Sequence, residues 1–126
     1  MKGGTVLLER ITDLPDSVLA FKASGELTSL DYRTVLVPAV EAALKGQEKL
    51  RLLYVLGNEV TGFSPGAAWQ DTKVGMAHVT RWEKIAVVTD KEWLRHSVNI
   101  FGYLIPGEIR AYSTEQEADA RTWIAT

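Results

Sequence analysis

Apolar positions along the chain follow two spacings, and each predicts one type of element. Two nearly continuous apolar runs, Leu50–Leu56 and Ile85–Thr89, are typical of central strands covered on both faces. Shorter β-type runs predict strands over Thr5–Ile11, Ser17–Ala23 and Glu108–Tyr112. Because turn-forming residues separate the first two of these runs, we expect them to pair antiparallel.

Apolar positions at helical spacing predict helices between the later strands. The first helix starts at a cap on Thr28 or Ser29, is kinked at Pro38 and ends at Lys45-Gly46. A loop over Gly57–Pro65 leads into a second helix, Gly66–Val79. The third helix covers Lys91–Leu104, with four candidates for its inner face: Trp93, Val98, Phe101 and Leu104. A helix capped at Ser113 or Thr114 ends the chain, with Glu117 at capping-box spacing from Thr114.

The resulting order is ββαβαβαβα, which is typical of an α/β fold. Strands that alternate with helices pair in parallel through right-handed crossovers. We therefore predict a mixed five-stranded sheet flanked by helices, in a single domain over residues 1–126.

Composition narrows the function classes. The chain has 126 residues and no cysteine, so disulfides and thiolate metal sites are excluded. Its net charge of −2 disfavours nucleic-acid binding. No signal-peptide pattern follows Met1, and the apolar runs are shorter than the ~18 residues that span a bilayer. A cytoplasmic location is expected.

The segment between Gly66 and Trp93 is unusually rich in large apolar residues for a crossover. It holds the five residues that we predict to bind a ligand: Trp69, Met76, His78, Trp82 and Trp93. Trp69 and Met76 would form a lid, Trp82 and Trp93 a cavity wall, and His78 a polar contact. Ordinary core packing is the alternative explanation of the same residues.

Gly62-Phe63-Ser64-Pro65-Gly66 matches G-x-S-x-G, the nucleophile elbow of α/β-hydrolases. Three arguments oppose that interpretation. Pro65 has no N–H to donate to an oxyanion. Ser64 also lies about eight residues beyond the predicted end of its strand at Leu56. The chain is short for a hydrolase sheet with a separate acid and base.

The remaining polar candidates have simple structural explanations. Asp90 suits the N-cap of the helix that contains Trp93, and it also lies at the carboxyl end of a strand, where open α/β sheets bind ligands. His78 and His96 are the two histidines, and neither has the spacing of a metal site. Four basic residues near the Trp-rich segment could meet an anionic headgroup or be solvated surface charges: Arg81, Lys84, Lys91 and Arg95.

Several segments together resemble the SpoIIAA-like family of the STAS superfamily. They are Gly25-Glu26-Leu27-Thr28-Ser29-Leu30-Asp31-Tyr32 with Pro38, Trp69-x-Asp71-x-Lys73-x-Gly75-x-x-His78, Ile85-Ala86-Val87-Val88-Thr89-Asp90, and Trp93. The resemblance implies a small α/β domain. Anti-sigma-factor antagonists of the superfamily are phosphorylated on a serine after the third strand, and the nearest positions here are Thr61 and Ser64. The Asp-Ser start of that motif is replaced by Leu56-Gly57-Asn58-Glu59. This branch is also similar to proteins thought to open a helical lid onto an apolar pocket near membranes.

Together these observations predict a non-enzymatic domain that binds a small apolar or amphiphilic ligand. The domain is also expected to contact a membrane peripherally, to bind a protein partner or to form a homodimer. No cofactor is expected. The alternative is a STAS-type protein-interaction and regulatory module that uses Thr61 or Ser64.

Overall fold

The predicted five-stranded sheet is present in the computed structural model, which describes residues 8–15, 17–27, 32–63, 81–102 and 107–126. The strands lie in the sheet in their sequence order. β1 is antiparallel to β2, and every later neighbour pairs in parallel. Their bounds are β1 Leu8–Arg10, β2 Val18–Leu27, β3 Leu50–Phe63, β4 Trp82–Val88 and β5 Glu108–Tyr112.

The described residues contain three α-helices. They are α1 (Val37–Gly46), α2 (Glu92–Phe101) and α3 (Glu117–Ala125). A π-helical turn over Tyr32–Leu36 precedes α1, and a 3₁₀ turn over Thr114–Gln116 precedes α3. The predicted helix Gly66–Val79 lies outside the described residues.

The helices cover both faces of the sheet. Crossovers between parallel neighbours share one hand, so α1 and α2 lie on the same face, where Leu36, Val40, Leu94 and Val98 join one core cluster. The final helix α3 packs on the opposite face through Ala120 and Ile124. Strand β3 contributes alternately to the two clusters: Leu52, Tyr54 and Leu56 to the first, and Leu53 and Val55 to the second. This alternation explains the continuous apolar run in its sequence.

The predicted loop over Gly57–Pro65 is wrong for its first seven residues, because β3 continues to Phe63. Strand β2 is also longer than predicted and runs through Gly25 to Leu27. The two extensions pair with each other, with register shifts on either side of Gly25. Pairing across the sheet therefore outweighs the turn preference of Gly57 and Gly62.

The helix predicted to kink at Pro38 is two elements. Its α-helical part begins at Val37, which places Pro38 in the first turn. Proline is tolerated there because the first N–H groups of a helix have no partner within the helix. The break in regular α-helix that was expected at Pro38 lies before it, in the π-helical turn.

The capping box predicted for Thr114 and Glu117 lies one residue earlier. The Ser113 N–H donates to Gln116 Oε1 at 3.0 Å, and the Gln116 N–H donates in return to the Ser113 side chain. The Gln116 N–H also donates to the Ser113 carbonyl at 2.9 Å. Thr114 instead directs its N–H and hydroxyl to Asp90. A partner 24 residues away in the sequence therefore displaces the local cap.

Gly107 brings the start of β5 close to β4. A Cβ built at Gly107 would lie 2.8 Å from the Glu83 carbonyl oxygen and closer still to that of Trp82. Both atoms belong to backbone, which cannot rotate away. Only glycine therefore fits this approach without a shift of the sheet.

Candidate functional site

Helix α2 carries the two large hydrophobic side chains that are exposed among the described residues. Trp93 is 49% exposed and Ile100 is 64% exposed. Together with exposed His96 they lie at i, i+3 and i+7 on the outer side of the helix. We call Trp93, His96 and Ile100 the α2 stripe.

The inner side of α2 matches the prediction at Val98 and differs from it at Trp93. Leu94 and Val98 are buried in the core, whereas Trp93, predicted to face inward, is half exposed. Neighbouring residues of an α-helix point about 100° apart, so burial of Leu94 directs Trp93 away from the centre of the buried face. Ile100 was not identified from the sequence. Its seven-residue spacing from Trp93 is the signal that could have found it.

Residues at the carboxyl end of β4 position the stripe. Thr89 is completely buried, and its Oγ1 accepts the Lys91 N–H at 3.1 Å where α2 begins. The Thr89 N–H donates to the Tyr112 carbonyl of β5 at 2.8 Å. These bonds fix the first turn of α2 at the carboxyl edge of the parallel strands, where open α/β sheets bind ligands.

Asp90 does not cap α2 as predicted. Its Oδ1 accepts the Thr114 N–H at 2.9 Å, and its Oδ2 accepts the Thr114 hydroxyl at 2.6 Å. The hydrogen bonds from the Thr114 side chain and backbone, helped by the charge of Arg95, hold the pKa of the exposed Asp90 carboxyl below its ordinary value. Asp90 therefore binds the first N–H of the 3₁₀ turn ahead of α3, and the N-cap of α2 is Lys91.

Two of the four basic residues near the Trp-rich segment support the fold. Arg81 donates to the carbonyls of Leu44, Gln47 and Glu48 at the end of α1, at 3.1, 2.8 and 2.5 Å. Lys84 donates to the Trp123 carbonyl at 3.4 Å and lies 5.1 Å from the centre of that indole. Arg81 and Lys84 therefore bind groups within the protein, which neither sequence-based explanation of these side chains had included. Lys91 and Arg95 remain beside the α2 stripe.

The two predicted cavity-wall residues lie far apart. Trp82 begins β4 and is 3% exposed within the core, while Trp93 follows the other end of that strand. Seven residues of strand separate the two ends by about 20 Å. The buried Nε1 of Trp82 has no hydrogen-bond partner among the described residues. Trp82 also lines a groove of about 290 Å³ with Lys49, Glu83, Gly107 and Glu108.

The other three predicted ligand-binding residues, Trp69, Met76 and His78, lie outside the described residues. The same holds for Ser64 and Pro65. Thr61 lies on β3, which reaches Phe63, the residue before Ser64 in the sequence. The argument against a nucleophile elbow from the distance between Ser64 and its strand is therefore wrong. The argument from Pro65 is unaffected, because proline has no N–H.

A second groove, of about 340 Å³, lies between α2 and the last strand. It is lined by Arg95, Asn99, Ile109, Arg110, Ala111 and Tyr112. Arg110 also stacks on Trp123, with its Cζ 4.5 Å from the ring centre. In the described ranges, no helix combines the length and apolar character needed to cross a bilayer.

Comparison with known proteins gives a consistent result. A family model described as SpoIIAA-like matches residues 18–125. The chain is also similar to the crystal structure of an uncharacterised protein of the DUF3478 family with a SpoIIAA-like fold, from Shewanella loihica PV-4. That similarity has a TM-score of 0.70 and 32% identity, over 93% of this chain and 89% of the other. No curated protein matches the chain.

Proposed function

The chain belongs to the SpoIIAA-like family, and from that premise we propose that this STAS-type domain is a non-enzymatic binding module for an amphiphilic ligand or a membrane surface. The α2 stripe carries the proposal. An exposed tryptophan and an exposed isoleucine on one side of an amphipathic helix suit the boundary between headgroups and acyl chains. Trp93 belongs to the predicted ligand-binding set, and the other side of α2 is fixed in the core.

Charge contributes little to this surface. Lys91 and Arg95 would attract an anionic headgroup, but Asp90 and Glu92 lie in the same stretch of chain. The two positive and two negative charges cancel to first order. We therefore expect apolar contact to dominate and the preference for anionic over zwitterionic lipid to be small.

The two side chains limit the affinity. Complete burial of a large apolar side chain contributes about 1.5–3 kcal/mol, and each of these is about half exposed. Trp93 and Ile100 together would contribute roughly 2–3 kcal/mol, which alone corresponds to weak, reversible association. The predicted contribution of Trp69 and Met76 would come in addition.

Vesicle co-sedimentation tests the proposal. The probes are phosphatidylcholine vesicles, with and without phosphatidylglycerol. We expect the wild type to bind both, and the double variant Trp93→Ala/Ile100→Ala to lose most of the bound fraction. The matched control, Trp93→Phe/Ile100→Leu, keeps the apolar area and should retain binding. Equal binding by all three proteins, or no binding by the wild type, would contradict the proposal.

A second candidate function is a protein-interaction and regulatory module. The observation that favours it is that β3, the third strand, reaches Phe63, which precedes Ser64 in the sequence, because the superfamily's phosphorylated serine follows the third strand. Pull-downs with wild type, Ser64→Ala and Ser64→Glu, together with mass spectrometry of Ser64, test it. A partner that distinguishes Ser64→Glu from Ser64→Ala would favour this function over lipid binding.

A further inference from the structure

The outer edge of β5 presents backbone groups that make no hydrogen bond within the described part of the chain. β5 is the last strand of the sheet and pairs with β4. The Tyr112 carbonyl accepts the Thr89 N–H, so the backbone of Tyr112 faces β4. Backbone direction alternates along a strand, so Arg110 also faces β4, while Ile109 and Ala111 direct their N–H and C=O groups outward.

The 340 Å³ groove runs along this edge, since Ile109 and Ala111 both line it. Their side chains pack on the core cluster shared with α1 and α2, and only the strand edge turns toward the groove. Arg95 and Asn99 of α2 stand on one side of the edge. Arg110 and Tyr112, which lie on the α3 face, stand on the other.

We propose that this edge binds an extended acidic peptide of a partner protein, which adds to the sheet as a sixth strand beside β5. The backbone of the peptide would pair with the outward groups of Ile109 and Ala111. Side chains of an added strand point alternately to the two faces. Two consecutive acidic residues would therefore meet Arg95 on one side and Arg110 on the other.

The carboxylates already near Arg95 and Arg110 do not prevent these side chains from binding an acidic peptide. Arg110 has a carboxylate neighbour in Glu108 at 3.5 Å, but both side chains are more than half exposed, so the pair is weak. Two acidic residues precede Arg95 in the sequence: Asp90 is held by Thr114, and Glu92 forms no ion pair with Arg95 among the described residues. Both guanidinium groups can thus form stronger, charge-assisted bonds with an incoming carboxylate.

A second copy of the chain fits this edge less well. The antiparallel pairing that uses the outward groups of both Ile109 and Ala111 is centred on Arg110. It would place the Arg110 side chains of the two copies directly opposite each other. Like charges in that position destabilise a strand pair.

The test uses blocked synthetic peptides in which an Asp-Glu pair is set in an alternating Thr/Val background. Fluorescence anisotropy measures their affinity, and amide hydrogen exchange followed by NMR reports on Ile109 and Ala111. We expect the acidic peptide to bind and to protect both amides. An Asn-Gln version should bind about tenfold more weakly, and salt should weaken binding of the acidic version.

Two sets of controls separate the backbone and charge contributions. An acidic peptide N-methylated at alternate positions keeps its charge but should lose binding, because it cannot complete the ladder. Arg95→Gln and Arg110→Gln should each weaken the acidic peptide about fivefold and leave the Asn-Gln peptide unaffected. Trp93→Ala/Ile100→Ala should bind the acidic peptide normally, which distinguishes this site from the proposed membrane surface.

Three results would overturn the inference. The first is equal binding of the acidic and amide peptides. The second is peptide binding that leaves the Ile109 and Ala111 amides unprotected. The third is a protein that sediments as a dimer and protects these amides without peptide. The last outcome would assign the edge to self-association.

Discussion

Arg81 and Lys84 lie three residues apart at the start of β4, and they reach opposite faces of the sheet to bind the carboxyl ends of two different helices. Arg81 binds three carbonyls at the end of α1. Lys84 binds the Trp123 carbonyl in α3, and Arg51 of β3 binds the neighbouring Ile124 carbonyl at 3.0 Å. Cations suit both positions, because the last carbonyls of a helix are unpaired and carry partial negative charge.

Replacement of Arg81 should destabilise the fold. Arg81→Ala removes three charge-assisted hydrogen bonds from the end of α1, so we expect the free energy of unfolding to fall by about 2–3 kcal/mol. Urea denaturation measures the change. Lys45→Ala, in the exposed last turn of the same helix, serves as the control and should change stability by less than about 0.5 kcal/mol. Equal urea midpoints for Arg81→Ala and Lys45→Ala would contradict the prediction, since water would then replace the Arg81 hydrogen bonds with no loss of stability.

Two glycines should respond to alanine in opposite directions. Gly107→Ala forces a methyl group against the Trp82 and Glu83 carbonyls and should lower stability by about 1–3 kcal/mol. Gly46→Ala places its methyl group in open space at the end of α1, so stability should stay constant or rise by up to about 1 kcal/mol. Thermal unfolding of the two variants measures both effects. A stable Gly107→Ala protein would show that β4 and β5 can separate easily.

The bond between Asp90 and Thr114 should make stability depend on pH in the acidic range. Thr114 binds the charged carboxylate, so the pKa of Asp90 is lower in the folded state than in the unfolded chain. The stabilisation is therefore complete above the unfolded pKa, about 3.9, and is lost as pH falls through the folded pKa. The difference in Tm between wild type and Asp90→Asn should shrink over that interval. NMR titration of the Asp90 carboxyl carbon provides the direct check, and an ordinary pKa there would refute the prediction.

Trp82 and Trp93 should differ in their contribution to stability. Trp82→Ala opens a cavity in the core and should cost about 3–5 kcal/mol, whereas Trp93→Ala should cost less than half as much because the indole is half exposed. Denaturant titration of both variants compares them directly. If Trp93→Ala were as destabilising as Trp82→Ala, Trp93 would have to be a core residue, and its proposed role in the α2 stripe would fail.

The sequence by itself determined the elements whose signal is local. The apolar runs Leu50–Leu56 and Ile85–Thr89 predicted central strands, and both form interior strands with a neighbour on each side. Strand Glu108–Tyr112 was predicted with its correct bounds. The ββαβαβαβα order then implied parallel pairing, because a crossover helix leaves few other connections. Trp93 was chosen from its place in the Trp-rich segment, and its role in ligand binding stays a prediction.

Tertiary structure decided the features that depend on residues distant in the chain. Strand β3 passes through Gly57 because β2 offers it a pairing edge, and Asp90 binds Thr114 rather than its own helix because β4 and β5 bring the two together. The face of α2 is likewise set by its packing on the sheet, which buries Leu94 and exposes Trp93. Local preferences for turns, caps and helix faces differ by about 1 kcal/mol or less. A cross-sheet pairing or a buried side chain contributes more, and neither can be read from neighbouring residues.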